Sequence, residues 1–320
     1  MRQPAGEGLP CQQLRDQAEA LCREGRFDQA LPIYKSAVES FEQTINGNEQ
    51  FKGSAGAQID MLRAMSGLAN LYKRLNLMQD AEATFRKALV AGEQSLGAGH
   101  PATLTFCNSL ALLLSENGNL EEAATYYQRS LEGFEAGLGP AHPDTLSIVN
   151  NLANLYTDQG SFDEAVPLYR RALEGFEAAL GAEHPMTLSC TNGLAIVYAE
   201  QSNLDEASPL FEKALAGFEK ALGPHHLETL SCVNNMASLL MDGGKHAEAE
   251  PLFRRALEGK ETAFGKLHPA TLSTVNGLAS VLRVMDKSEE ADALLKRYEP
   301  ISLRGIQPNG ELGLTPRGHA

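Results

Sequence analysis

Five histidines, His100, His142, His184, His226 and His268, recur at intervals of 42 residues. Imidazole is the side chain that shuttles protons near neutrality and most often binds metals, so a regular histidine series raises both chemistries at once. Each histidine opens nearly the same phrase: HPATL, HPDTL, HPMTL, HHLE with Thr229 and Leu230, and HPATL. Zinc needs its nitrogens ~2.0–2.1 Å away around one point. Equivalent residues of neighbouring stacked units stand at least a helix-packing distance apart, about 8–10 Å. The spacing therefore strings the imidazoles along a row. It predicts no metal site and no cofactor, and gives the histidines a structural task at the turn ahead of Pro or of Leu227. His225 beside His226 is a local pair with no third ligand nearby in sequence.

Other reactive groups fare no better. The five cysteines show no CxxC spacing, and Cys107, Cys190 and Cys232 hold nearly equivalent positions, as small packing residues do. No GxxxxGK[ST] or GxSxG motif occurs, and the glycines of AGLGPAHPD follow no strand, so they form a loop and not a phosphate cradle. Carboxylates are expected on solvated faces and at helix starts rather than in an apolar pocket that would raise a pKa. The chain is expected not to be an enzyme. That remote alternative would require a deep pocket of clustered titratable groups.

Two further series suit binding without catalysis. Asn108, Asn150, Asn192, Asn234 and Asn276 recur at one rung, and Asn151, Asn154 and Asn235 share the face. An amide both donates and accepts, so this row either grips the backbone of an extended peptide or bonds repeat to repeat. Eight residues on stand Glu116, Asp158, Glu200 and Asp242. Early in the chain the same face carries Arg15, Arg23, Arg63, Lys73 and Arg74. A groove along this face would be basic at its N-terminal end and acidic in the middle, and would prefer segments of basic character. Its third to sixth repeats offer neither Lys nor Arg, so no clamp for a C-terminal carboxylate is expected.

The elements that position these residues follow from one unit, HPDTLSIVNNLANLYTDQGSFDEAVPLYRRALEGFEAALG, residues 142–181. Leu146, Val149, Leu152, Ala153 and Tyr156 make one helical stripe, and Ala165, Leu168, Tyr169, Ala172, Leu173, Phe176 and Leu180 make a second. Gly160 marks the turn between them, and Pro143 suits the first helical position. Pro167 predicts a slight bend in the second helix. Neither helix can bury its stripe alone, which is why the unit is repeated. Helical pairs are predicted near 11–45, 58–97, 100–139, 142–181, 184–223, 226–265 and 268–299, with a longer polar loop, NGNEQFKGSAGA, after the first. Residues 1–10 read as a disordered N-terminus and 300–320 as a flexible tail.

The segment 151-NLANLYTDQGSFDEAVPLYRRAL-173 resembles a tetratricopeptide repeat, and its extended form, with HPDTL and EAVPLYRRALE, is similar to the repeats of kinesin light chains and nephrocystin-3-like proteins. The resemblance spans 11–299. It implies an all-α, right-handed superhelical solenoid of about seven antiparallel helix pairs, whose concave surface, lined by the first helices, binds a peptide or partner helix. It further implies a protein-interaction adaptor or scaffold, with kinesin heavy chain or other complex subunits as partners. Kinesin light chains also carry a long heptad coiled coil ahead of the repeats. Here the repeats begin near residue 11, so a signalling or assembly scaffold without a motor role stands as the alternative.

Composition agrees with a helical interaction protein. Against 27 Lys and Arg stand 41 Asp and Glu, a net charge of −14 that disfavours nucleic acid and anionic membranes as partners. The segment MRQPAGEGLP has no apolar core, and no apolar run approaches the ~20 residues of a membrane span. A reducing, cytoplasmic setting is expected.

Overall fold

The computed structural model describes residues 10–47 and 54–298. Among them are fourteen helices and no strand: α1 (Pro10–Arg23), α2 (Phe27–Gly47), α3 (Ala55–Arg74), α4 (Met78–Ser95), α5 (Pro101–Glu116), α6 (Leu120–Leu138), α7 (Pro143–Asp158), α8 (Phe162–Leu180), α9 (Pro185–Glu200), α10 (Leu204–Leu222), α11 (Leu227–Asp242), α12 (His246–Phe264), α13 (Pro269–Val284) and α14 (Ser288–Tyr298). Odd-numbered helices are the first of each pair. The chain forms two compact units, residues 1–175 and 176–320. Of the N-terminus expected to be disordered, 1–10, residues 1–9 lie outside the described residues and Pro10 already opens α1; the expected tail 300–320 lies outside them as well, and the loop after the first pair is described only from Ser54. That loop is shorter than predicted. Ser54 Oγ accepts the Ala57 N–H, so Ala55, Gly56 and Ala57 already belong to α3.

The histidines are helix N-caps. Nδ1 of His100, His142, His184, His226 and His268 accepts the backbone N–H two residues on, at 3.2–3.3 Å. Each satisfies one donor that the first helical turn leaves orphaned. A threonine three residues later completes the turn. The hydroxyls of Thr145, Thr187, Thr229 and Thr271 donate to the carbonyls of Gly139, Gly181, Gly223 and Gly265 at 2.8–2.9 Å. Those glycines have φ of 85–93°, a region in which a Cβ would be strained. The turn inside each pair uses the same left-handed region at residues 25, 76, 118, 160, 202, 244 and 286, filled by Gly at four of them and by Asn, Ser and Asp once each.

Packing explains the remaining repeated residues. Ala153 and Ala165 are fully buried where helices cross closely, and Phe85, Tyr127, Tyr169, Phe211 and Phe253 recur as fully buried aromatics of the second helices. Leu146 presses on Gly175, where an added Cβ would meet it at 2.4 Å; Leu188 and Gly217 repeat that geometry. Pro167 sits sixth in an unbroken α8, where only one early hydrogen bond is forfeited. Cys107, Cys190 and Cys232 are wholly buried, and desolvation pushes the last two thiols up to about 12. Among the described residues no helix is long and apolar enough to cross a membrane.

Candidate functional site

The asparagine row is built into the contacts between first helices. In the first unit, Asn151 Nδ2 on α7 donates to Asn108 Oδ1 on α5 at 3.2 Å. In the second, Asn235 Nδ2 on α11 donates to Asn192 Oδ1 on α9 at 3.4 Å. Asn234 Oδ1 accepts from the Thr274 hydroxyl at 2.7 Å. These amides and Asn150 are half-buried, while Asn154 and Asn276 are exposed. Asn154 Oδ1 receives the Tyr169 hydroxyl. The row thus bonds repeat to repeat. Each Asn–Asn bond uses one donor and one acceptor of the pair, leaving further capacity toward a ligand.

The basic end expected of the first unit is largely compensated from within. Arg15 pairs with Asp60 at 2.7 Å and lies beside Asp16 and Glu19. Burial raises the Asp60 carboxyl, but hydrogen bonds from Gln12 and Arg15 outweigh it and hold the pKa below the ordinary value. Arg63 approaches Asp60 at 3.5 Å, and the Arg74 guanidinium stands 5.2 Å over the Phe27 ring. Lys73 on α3 pairs with Glu116 on α5 at 2.8 Å.

The acidic row differs between units. In the first, Glu116 is neutralised by Lys73, and burial pushes the Asp158 carboxyl above its ordinary value. The pKa of the buried Tyr127 hydroxyl is raised by desolvation and further by the charges of Glu116 and Asp158. In the second unit, Glu200 at the end of α9 and Asp242 at the end of α11 have no ion-pair partner among the described residues. Both are exposed, and they line a cleft of about 400 Å³ together with the half-buried Asn235 and Ser238 and the buried Phe211 and Leu239. Among the described residues, no group of three or more His, Cys, Asp or Glu side chains is placed to hold a metal ion.

Sequence reasoning missed a third periodic series, on the second helices. Glu93–Arg129, Glu135–Arg171, Glu177–Lys213, Glu219–Arg255 and Glu261–Arg297 form ion pairs at 2.5–3.2 Å. Both halves recur every 42 residues, so the signal was present in the sequence. The offset of 36 within each pair becomes visible only once neighbouring second helices are packed. Also missed was the buried chain from Lys260 Nζ to Thr274 Oγ1, 3.1 Å, and on to Asn234.

Comparison with known proteins places this arrangement. The Tetratricopeptide repeat family pattern matches residues 60–136, 104–178, 144–220, 188–258 and 229–303, and a second pattern of the same description matches 15–95. Among solved structures, BtubC (BKLC) of P. vanneervenii is 21% identical, with 76% of this chain and 94% of that one covered and a TM-score of 0.59. TPR-like repeats assigned to a Podosopora anserina kinesin light chain are 25% identical over 63% of this chain and 95% of that one, TM-score 0.52. The quorum sensor NprR of B. thuringiensis is 12% identical over 91% and 88%, TM-score 0.59. A search of curated proteins by sequence finds no match. Matched along nearly its whole helical length, the chain belongs to the tetratricopeptide repeat family.

Proposed function

We propose that this protein is a non-enzymatic binding scaffold that holds a protein segment of basic character along its first-helix face. The observation that carries the reading is the pair of unneutralised carboxylates, Glu200 and Asp242, lining an open cleft. Charge left without an internal partner at a concave surface favours a partner that supplies the counter-charge. The family membership supports a binding role, and the same fold in NprR is seen in complex with a cognate peptide, NprX.

The finer role as a kinesin-light-chain-like cargo adaptor, with a kinesin heavy chain as partner, draws support from the 25% identity to the P. anserina repeats. The acidic residues favour the second reading, a signalling or assembly scaffold without a motor. An acidic face does not suit the acidic, tryptophan-containing cargo motifs associated with kinesin light chains. Co-purification with a kinesin heavy chain under gentle lysis separates the two.

The binding reading is tested by partner capture with the wild-type chain and with Glu116, Asp158, Glu200 and Asp242 all changed to Gln, followed by mass spectrometry. The expected result is loss of a common set of partners that carry basic segments. An unchanged set would move the interaction off the acidic row.

A further inference from the structure

Two parts of this chain share one acidic plan in the repeat register and differ in the aromatic that accompanies it. Between α5, α6 and α7 the acids are Glu116 and Asp158, and the second-helix aromatic is Tyr127. Between α9, α10 and α11, 84 residues on, they are Glu200 and Asp242, with Phe211 in the aromatic place. Tyr127 carries a hydroxyl that feels the charges of both acids. Phe211 has none, and it lines the cleft of about 400 Å³.

The first of these also shows what such a carboxylate accepts. Lys73 reaches from the preceding repeat to Glu116, at 2.8 Å, while its side chain is mostly covered. At the positions that stand to Glu200 and Asp242 as Lys73 stands to Glu116, the sequence carries Thr157 and Ala199, neither of which is a cation. The second thus presents the same acidic plan without the lysine.

We propose that the cleft bounded by Glu200, Asp242 and Phe211 is an anchor pocket for one long cationic side chain, arginine or lysine, of the bound segment. The proposal rests on the binding reading above and deepens it. Phe211 and Leu239, both nearly fully buried, contribute apolar lining along which the methylene stem can lie. Glu200 and Asp242 receive the charged head, and Ser238 and Asn235 line the cleft as polar partners. Arginine suits the geometry well, because its fork can engage two acceptors at once. An acidic or apolar side chain in this place would leave both carboxylates facing it without compensation. Because both carboxylates lie at one cleft, specificity is set by the register of a basic residue and not by overall charge.

The test selects bead-displayed random 12-residue peptides on the full chain and measures the selected peptides by fluorescence anisotropy. The expected peptides share one Arg or Lys whose replacement by citrulline or norleucine weakens binding about tenfold, the scale of a charge-assisted contact. In the Glu200→Gln, Asp242→Gln double variant that replacement costs almost nothing further, while in Glu116→Gln, Asp158→Gln it still costs the full factor. Phe211→Tyr supplies the hydroxyl that Tyr127 and Tyr169 already carry in this fold, and it lowers affinity similarly with an unchanged melting temperature. Peptides that bind with no sensitivity to their basic residue, or that respond at Glu116 and Asp158 alone, overturn the pocket and leave the binding face standing. Failure to select any peptide on the wild-type chain overturns both.

Discussion

Lys260 stands where earlier repeats place Phe134, Phe176 and Phe218, and it is 5% exposed. Its amine donates to Thr274, which occupies the register of Cys190 and Cys232, so a Phe–Cys contact has been exchanged for a polar pair. Burial holds the amine below its ordinary pKa. A folded-state pKa below the unfolded one means the unfolded chain binds the proton more tightly. Stability therefore rises with pH between the folded value and about 10.4, and the full penalty applies below that window. Lys260→Met is expected to stabilise the C-terminal repeats at pH 7 by about 1–2 kcal/mol, since an apolar replacement of similar length removes the desolvation cost. Urea unfolding at pH 7 and pH 10 checks this. The advantage of the variant should shrink at the alkaline pH, and parallel profiles would show that the amine is not desolvated.

At the scale of the helix, the unit depends on close approach. An added Cβ at Gly217 of α10 would lie 2.4 Å from Leu188 Cδ2 and 3.1 Å from its Cγ, and Leu188 is itself buried. Alanine is the better helix former by about 1 kcal/mol, yet overpacking costs about 1–3 kcal/mol. Gly217→Ala should therefore lower the melting temperature, and adding Leu188→Ala should recover part of the clash while opening a cavity. A gain in stability from Gly217→Ala alone would mean that α9 and α10 pack more loosely. Such contacts mark how far the sequence can be read. The stripes, turn glycines and prolines were legible, because helical periodicity and backbone preference act within a few residues. The histidine caps were legible as turn residues, though not as acceptors. The partner of Lys260 lies 14 residues away, and that of Glu177 lies 36 away, and both depend on how helices lie against each other. The bonding of Asn108 to Asn151 was one of two readings that the sequence left open.

At the scale of the whole chain, stability resides in contacts between neighbours. In an array of this kind it is roughly a sum of repeat and interface terms. Ala195 is fully buried, in a cluster with Leu188 and Phe211. Ala195→Glu forces a charge into that cluster at a cost of several kcal/mol and should split the thermal transition into two steps. A single unshifted calorimetric peak would place Ala195 outside the interface. The ion pairs along the second helices weigh less. Their members are about one-third exposed or more, apart from Glu261, and such pairs contribute about 0–1 kcal/mol each. Their arrangement has another consequence. Each glutamate reaches the cation of the next repeat, Glu261 meeting Lys266 as well, and each histidine caps its own helix. The pattern therefore keeps no record of how many copies there are. Unequal crossing-over could add or delete a 42-residue copy without stranding a charge, and evolution could set the reach of the binding face in whole steps.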